Sequence, residues 1–242
     1  SITELLCDLG LSEKLVGRTG VCIHPWETVR TIPKVGGTKD VLMDRVRELE
    51  PTHVVVNVAA NRREDAEALA QFVPNVVVTH PLEPRDNLDL YRQMGREFDR
   101  EAEAEALCER FEAAYERAAA GAGEERDVLY LIWRDPWMTV ARNTYIAQTL
   151  TIFNWQTQPS VLGNPEGDKG QRVRYPEVDL ADFEDVDRVL LSSEPFHFKD
   201  HHVGEVAELV PGVEVSLIDG EMTSWYGSRA IAGLHYLLEY TR

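Results

Sequence analysis

The chain has 242 residues, 43% of them hydrophobic, and its Lys+Arg 25 against Asp+Glu 42 leave a formal net charge of −17. That supports a substantial core, as one domain or two smaller lobes, in a molecule whose average field repels phosphate backbones and anionic lipid surfaces, so no nucleic-acid partner is expected. No apolar run reaches the roughly 18 residues of a membrane span, residues 1–20 lack the regions of an export signal, and the odd number of cysteines (Cys7, Cys22, Cys108) points to free thiols rather than a disulfide frame or zinc ribbon.

The chain opens on Ser1-Ile-Thr-Glu4, which has the form of a capping box, and predicts a short helix through Leu9 closed by Gly10. "LVGRTGVCI" then reads as a strand up to Ile23, followed by a loop at His24-Pro25-Trp26, a turn at "GGTK" and an amphipathic segment from Val41 to Leu49. Val54 to Val58 and "NVVVT" are short Val-rich runs without alternation, as expected of strands buried on both faces, with a helix between them. From Asp86 an apolar residue recurs at mostly three- and four-residue steps from Leu88 through Tyr91, Met94 and Phe98 to Ala118, and this predicts one helix of about 45 Å at roughly 1.5 Å per residue. Beyond Gly121-Ala-Gly123, "DVLYLIW", "VDRVLLSS" and "VEVSLID" resume the strand pattern, residues 154–176 form a long irregular connection, and a last amphipathic helix runs from about Ser228 to Tyr240. The fold class expected is α/β, two Rossmann-like lobes with mainly parallel sheets: residues 1–85, a connecting helix over 86–122, and residues 123–242.

Ligands of open parallel sheets bind at the carboxyl ends of the strands. The residues falling there are aromatic: Trp26 in the first lobe, and Trp133, Trp137, Phe196, Trp225 and Tyr226 in the second. Indoles at loop mouths suit a flat, bulky, partly polar ligand, although each such ring can equally plug the edge of the core. Arg134 and Asp135 either bind a ligand or pair with each other. His197, His201 and His202 have the spacing of a helical metal pair but lack the Glu of HExxH and a third ligand, so a solvated loop and helix start is the alternative; His197 also offers an axial nitrogen to a bound metal complex. No nucleophile motif or spaced carboxylate pair stands out. An enzyme using Asp135, Glu194 or His197 as acid or base is the competing class.

"SITELLCDLGLSEKLVG", "VGGTKDVLMDRVRELEPTHVVVN", "NRREDAEAL", "VLYLIWRDPWMTV" and "RAIAGLHYLLEY", in this order, resemble the class III substrate-binding proteins of ABC importers, the helical-backbone receptors for vitamin B12, ferric siderophores and haem. The resemblance implies an aromatic cleft between the lobes that holds a cobalt- or iron-containing complex as cargo, no intrinsic cofactor, a monomer, a periplasmic or cell-surface location, and delivery to the transmembrane permease subunits. Acidic permease-docking positions are implied at Glu64 and Glu221. Ala59-Ala60 stand where many relatives carry acidic residues, and the strand that leads into "SITELL" in the family has no counterpart in this sequence, which starts at Ser1. Cobalamin ranks first among the ligands, because the mouth is rich in Trp and poor in His. The same fold as an intracellular carrier or sensor of such a chelate is a further alternative.

Overall fold

A computed structural model of the chain describes residues 1–163 and 174–242. They form two compact units, one of Ser1–Pro81, Asn87–Cys108 and Tyr226–Arg229, the other of Leu82–Asp86, Glu109–Trp225 and Ala230–Arg242. The chain thus changes unit after Pro81, Asp86, Cys108, Trp225 and Arg229, and the change after Cys108 falls inside a helix.

The first unit begins with α1 (Ile2–Asp8) and continues through α2 (Trp26–Val29), α3 (Met43–Leu49), β1 (His53–Asn57), α4 (Arg63–Leu69) and β2 (Asn75–Thr79). β1 and β2 pair in parallel, His53 opposite Asn75 and Asn57 opposite Thr79. Val54, Val56 and Val76 share one face by strand alternation and pack with Val46 of α3 and Leu69 of α4. Asn57 and Thr79 are buried at this end of the sheet and both are satisfied, Asn57 donating to the Thr79 carbonyl at 3.2 Å and the Thr79 hydroxyl donating to the Val56 carbonyl at 3.0 Å. The strand expected up to Ile23 does not form. Arg18 instead makes a single parallel bridge with Lys34, and its buried guanidinium donates to the carbonyls of Val29 (2.6 Å) and Cys22 (3.1 Å), folding residues 18–36 into a loop around itself. The turn at "GGTK" is as expected: Gly36 has φ 101°, and a Cβ there would meet the Asp40 carbonyl oxygen.

The single long helix is two helices, α5 (Asp86–Glu97) and α6 (Glu101–Ala120). Asp99, at φ 53°, breaks the run, and the Arg100 amide turns back to the Gly95 carbonyl at 2.8 Å. Gly95 permits the close approach: a Cβ on it would lie 2.7 Å from that of Ala104 in α6. Arg92 of α5 and Glu105 of α6 close the outside with a bidentate pair at 2.7 and 3.0 Å. The longer helix, at 20 residues, spans about 30 Å. The segment Tyr226–Arg229 joins this unit through specific bonds. The Gly227 amide donates to Asn87 Oδ1 (2.7 Å), the Tyr91 hydroxyl donates to the Gly227 carbonyl (2.8 Å), and Arg229 forms a bidentate pair with Glu4 (2.7 and 2.8 Å). The Glu4 carboxylate therefore goes to Arg229, and the capping box expected at Ser1 is not made.

The second unit carries β3 (Arg126–Leu131), α7 (Tyr145–Thr151), β4 (Trp155–Thr157), β5 (Arg188–Ser192), α8 (Asp200–Leu209), β6 (Glu214–Ile218), α9 (Gly220–Ser224) and α10 (Arg229–Tyr240), the last with its first residue counted in the first unit. The strands form one parallel sheet in the order β4-β3-β5-β6. Leu129, Leu131, Val189 and Leu191 are fully buried and pack with Val206 of α8, which is why these strands read as unbroken apolar runs. β4 opens the stretch expected to be irregular, anchored by Trp155 at 1% exposure; residues 164–173 of that stretch lie outside the described residues. The α/β class with parallel sheets is thus met. All three cysteines are thiols outside any disulfide, with Cys108 buried. Among the described residues no helix is long and apolar enough to cross a membrane.

Candidate functional site

In the second unit the loops after β3, β5 and β6 emerge from one edge of the parallel sheet, and hydrogen bonds stitch them together. The Phe196 amide donates to the Ile132 carbonyl (3.2 Å), Ser193 N to Ile218 O (3.0 Å), and Gly220 N to Ser193 Oγ (2.9 Å). Beneath them, the fully buried Tyr130 hydroxyl meets Ser192 Oγ at 3.0 Å and Thr223 Oγ1 at 2.5 Å. Burial drives the Tyr130 pKa far above its ordinary value, so the group stays a neutral hydroxyl.

The stretch "WRDPWM" closes on itself, Ile132 N bonding Met138 O (2.9 Å) and Met138 N bonding Trp133 O (3.1 Å). This short hairpin projects Trp133, Arg134 and Trp137 from the end of β3. Trp133 meets Phe196 edge-on at 5.7 Å, Phe196 tilts onto Phe198 at 4.7 Å, and Trp137 stacks on Phe198 at 6.3 Å with 7° between planes. Phe198 is 2% exposed and belongs to the core, whereas Trp133 is 40% exposed. The rings therefore form a graded shelf, anchored in the core at Phe198 and open to solvent at Trp133, with Trp137 and Phe196 half-buried between. Plugging and presenting, the two readings of these aromatics, fall to different members of one cluster.

Arg134 lies over the Trp137 ring at 5.5 Å and makes a bidentate pair with Glu205 of α8 at 2.8 and 2.5 Å, with Asp135 3.1 Å away. Glu205 holds both terminal nitrogens of the guanidinium, while Asp135 lies within ion-pair distance of Nε without a hydrogen bond to it, and Glu205 is a partner that its distance in sequence conceals. His197 is exposed, and its Nδ1 lies 3.1 Å from the Ser193 carbonyl; a carbonyl only accepts, so Nδ1 carries the proton and Nε2 the lone pair of the neutral ring. An open depression of about 500 Å³ adjoins it, lined also by Ser193, Lys199, Asp219 and Tyr236. His202 is buried instead of solvated, its Nδ1 accepting the Lys199 amide at 2.8 Å and its ring edge-on to Phe196 and Phe198. Burial, with smaller effects from His201 and Arg134, holds its pKa below the usual histidine value. His197 precedes α8, so the 197/201 spacing is not a helical one. Among the described residues no group of three or more His, Cys, Asp or Glu is placed to hold a metal ion.

Trp225 follows α9 and is half-buried, its Nε1 donating to Glu194 Oε1 at 2.6 Å. Glu221 is in the first turn of α9. In the first unit Trp26 begins α2 and is 58% exposed; Arg18, which the sequence reading did not single out, fixes the backbone on both sides of it at Cys22 and Val29. Glu64 is exposed in the first turn of α4, and Tyr226 is half-buried. The Ala59-Ala60 turn before it is held by Asn57, whose Oδ1 accepts the Ala59 amide at 2.9 Å.

The model of the family described as periplasmic binding protein matches residues 1–156, and the chain belongs to that family. This meets the expectation of a substrate-binding receptor. In fold it is similar to the apo form of the periplasmic haem-binding protein RhuT from Roseiflexus sp. RS-1, with a TM-score of 0.80 at 20% identity over 99% of this chain and 94% of that one. The periplasmic haem-binding protein HutB of Vibrio cholerae gives 0.79 at 17% identity, covering 99% and 95%. The periplasmic vitamin B12 binding protein BtuF of Vibrio cholerae gives 0.78 at 14%, covering 99% and 92%. At such identities the likeness is one of fold. No curated protein matches the chain in sequence.

Proposed function

We propose that the protein is the receptor of an ABC importer that binds a cobalt- or iron-centred chelate as cargo and hands it to the permease, outside the cytoplasmic membrane. The observation that carries this reading is the shelf formed by Trp133, Phe196 and Trp137 over Phe198, which offers flat apolar faces that need no rearrangement to meet a macrocycle. Trp225, Trp26 and Tyr226 are further ligand contacts in this reading. Arg134 supports the shelf by lying over Trp137 and pairing with Glu205; so committed, it is a poor partner for the carboxylates of haem or the negative charge of a tris-catecholate, and this favours a corrinoid. His197 Nε2, left as the lone-pair nitrogen by the Nδ1 contact to Ser193, suits an axial position on the metal. Glu64 and Glu221 are the proposed permease contacts, and a monomer suffices for all of these roles.

Catalysis has less support. Asp135 is ion-paired to Arg134, Glu194 accepts from Trp225, and His197 Nδ1 is engaged by a backbone carbonyl, so each acid–base candidate already has a structural partner.

Titration of the purified protein with hydroxocobalamin, haemin and a ferric tris-catecholate tests the proposal through Trp fluorescence and heat. Quenching is expected at micromolar ligand, strongest with hydroxocobalamin, and His197→Ala is expected to alter the visible spectrum of the complex. No quenching and no heat with any of the three at tens of micromolar overturns it.

A further inference from the structure

We propose that Glu194 is the positioning residue for the Trp225 indole, fixing one wall of the binding surface; its role in binding rests on the receptor reading above. Three sets of contacts converge on this residue within the second unit. First, its Oε1 accepts from Trp225 Nε1 at 2.6 Å and from Ser224 Oγ at 2.9 Å, so one carboxylate oxygen holds both residues that end α9. Second, its backbone is clamped: Ser192 Oγ donates to the Glu194 carbonyl at 2.7 Å and accepts from the Glu194 amide at 3.3 Å, while the same hydroxyl receives Tyr130 from below at 3.0 Å. Third, a hydrogen-only side chain faces it. A Cβ on Gly220 would lie 2.5 Å from Ser192 Oγ, 2.6 Å from Glu194 Cγ and 2.9 Å from the Glu194 amide nitrogen, closer than packed atoms come.

These contacts explain one another. The glycine at the start of α9 leaves the space in which the Glu194 stem lies, the serine–tyrosine pair sets where that stem starts, and the carboxylate then reaches the indole. A tryptophan at a loop mouth turns about two side-chain bonds and loses that freedom on binding a ligand. A short hydrogen bond to an ionised acceptor removes much of it beforehand. The Glu194 carboxylate thus has its partners in Trp225 and Ser224. It stands between the loop that carries Phe196 and the one that carries Trp225 and sets the angle of the second.

The experiment reads Trp225 directly, with and without ligand. In ligand-free protein, Glu194→Ala is expected to shift the fluorescence emission and near-ultraviolet circular dichroism, and the shift should vanish in a Trp225→Phe background. Glu194→Gln, which keeps an acceptor oxygen, should restore most of the parent signal, and Gly220→Ala, whose methyl crowds both the stem and the Ser192 hydroxyl that clamps it, should shift the signal in the same direction as Glu194→Ala. With hydroxocobalamin and haemin as probes, Glu194→Ala and Gly220→Ala are each expected to weaken binding about tenfold, and Glu194→Gln by less than about threefold. An emission spectrum of Glu194→Ala identical to the parent's overturns the positioning role whether or not any chelate binds. A shifted emission with unchanged affinity overturns its role in binding. A parent protein that binds neither probe overturns the receptor reading, while the ligand-free spectra still decide the position of the indole.

Discussion

The pair between Glu4 and Arg229 joins residues 225 apart in sequence and offers a sharp test of what holds the first unit. Both side chains are largely buried, Arg229 at 12% exposure and Glu4 at 18%, and the contact is bidentate at 2.7 and 2.8 Å. A fully exposed pair is worth about 0–1 kcal/mol. Removing one partner of a buried pair costs about 3–5 kcal/mol, because the other charge is left in a poor solvent. At these exposures the buried case dominates, so Glu4→Leu and Arg229→Met are each expected to cost about 2–3 kcal/mol. The double variant removes both charges and should cost only about 1 kcal/mol, a coupling of about 3–5 kcal/mol. Hydrogen exchange read by mass spectrometry over α1 and residues 226–229 is the suitable assay, since it resolves opening of this unit alone. Each single variant should speed exchange there by about 30- to 150-fold, at about 1.4 kcal/mol per tenfold, and the double by less than about tenfold. Single variants within threefold of the parent, or a double as fast as the product of the singles, would refute this reasoning.

Three further outcomes follow from packing and charge. The second unit should lose stability as pH falls below about 6.5, the ordinary histidine value, because the unfolded chain takes up a proton that buried His202 resists; urea melts of His202→Asn, which keeps an acceptor for the Lys199 amide, should show a shallower pH dependence between about pH 5 and 6.5. Gly95→Ala gains up to about 1 kcal/mol of helix propensity but drives a methyl to 2.7 Å from Ala104 Cβ, so a net loss of about 1–2 kcal/mol is expected in urea denaturation. Tyr130→Phe removes the hydroxyl between Ser192 and Thr223 while both keep carbonyl acceptors, so a cost of about 1–1.5 kcal/mol is expected by the same measurement, and Ser192→Ala, which loses the Glu194 contact as well, should cost more.

The strands were legible as short apolar runs at Val54–Val56, Val76–Val78 and Leu129–Leu131, but burial on both faces holds for β3 alone: Val78 in β2 is half exposed and β1 is only partly buried. The break between α5 and α6 was not, because both helices bury apolar residues at helical spacing and the pattern passes through Phe98–Arg100 almost undisturbed. Its signals are small: Gly95, whose missing Cβ lets α6 approach, and Asp99, a residue type that tolerates the left-handed conformation. The run at 15–23 looked like a strand from its β-branched residues, but buried Arg18 satisfies its donors on the carbonyls of its own loop, and that local solution competes with a ladder. At the site, composition pointed to the aromatics and could not reach their supports, since Glu205 lies 71 residues from Arg134 and Trp225 lies 31 from Glu194.

The supports share one physical logic. An aromatic side chain at a loop mouth pays, on binding, for every rotamer and loop conformation it gives up. In the second unit each such ring has a fixed neighbour before any ligand arrives, Phe198 under Trp137, Phe196 against Trp133 and Glu194 on the Trp225 nitrogen, while in the first unit Arg18 holds the backbone on either side of Trp26. The loops that carry the second unit's rings are themselves bonded to one another through Ser193, Ile132 and Ile218, and rest on the hydroxyl of Tyr130. Affinity in such a surface comes from apolar area presented without reorganisation, so substitutions that loosen a support should weaken binding mainly through faster release, and those that remove a ring should abolish a contact outright. Glu205 separates the two effects. It touches no expected ligand position except through Arg134, so Glu205→Gln should raise the dissociation rate of a bound chelate several-fold while the quenching at saturation stays that of the parent; a change in the quenching amplitude instead would mean that the shelf itself had been rebuilt.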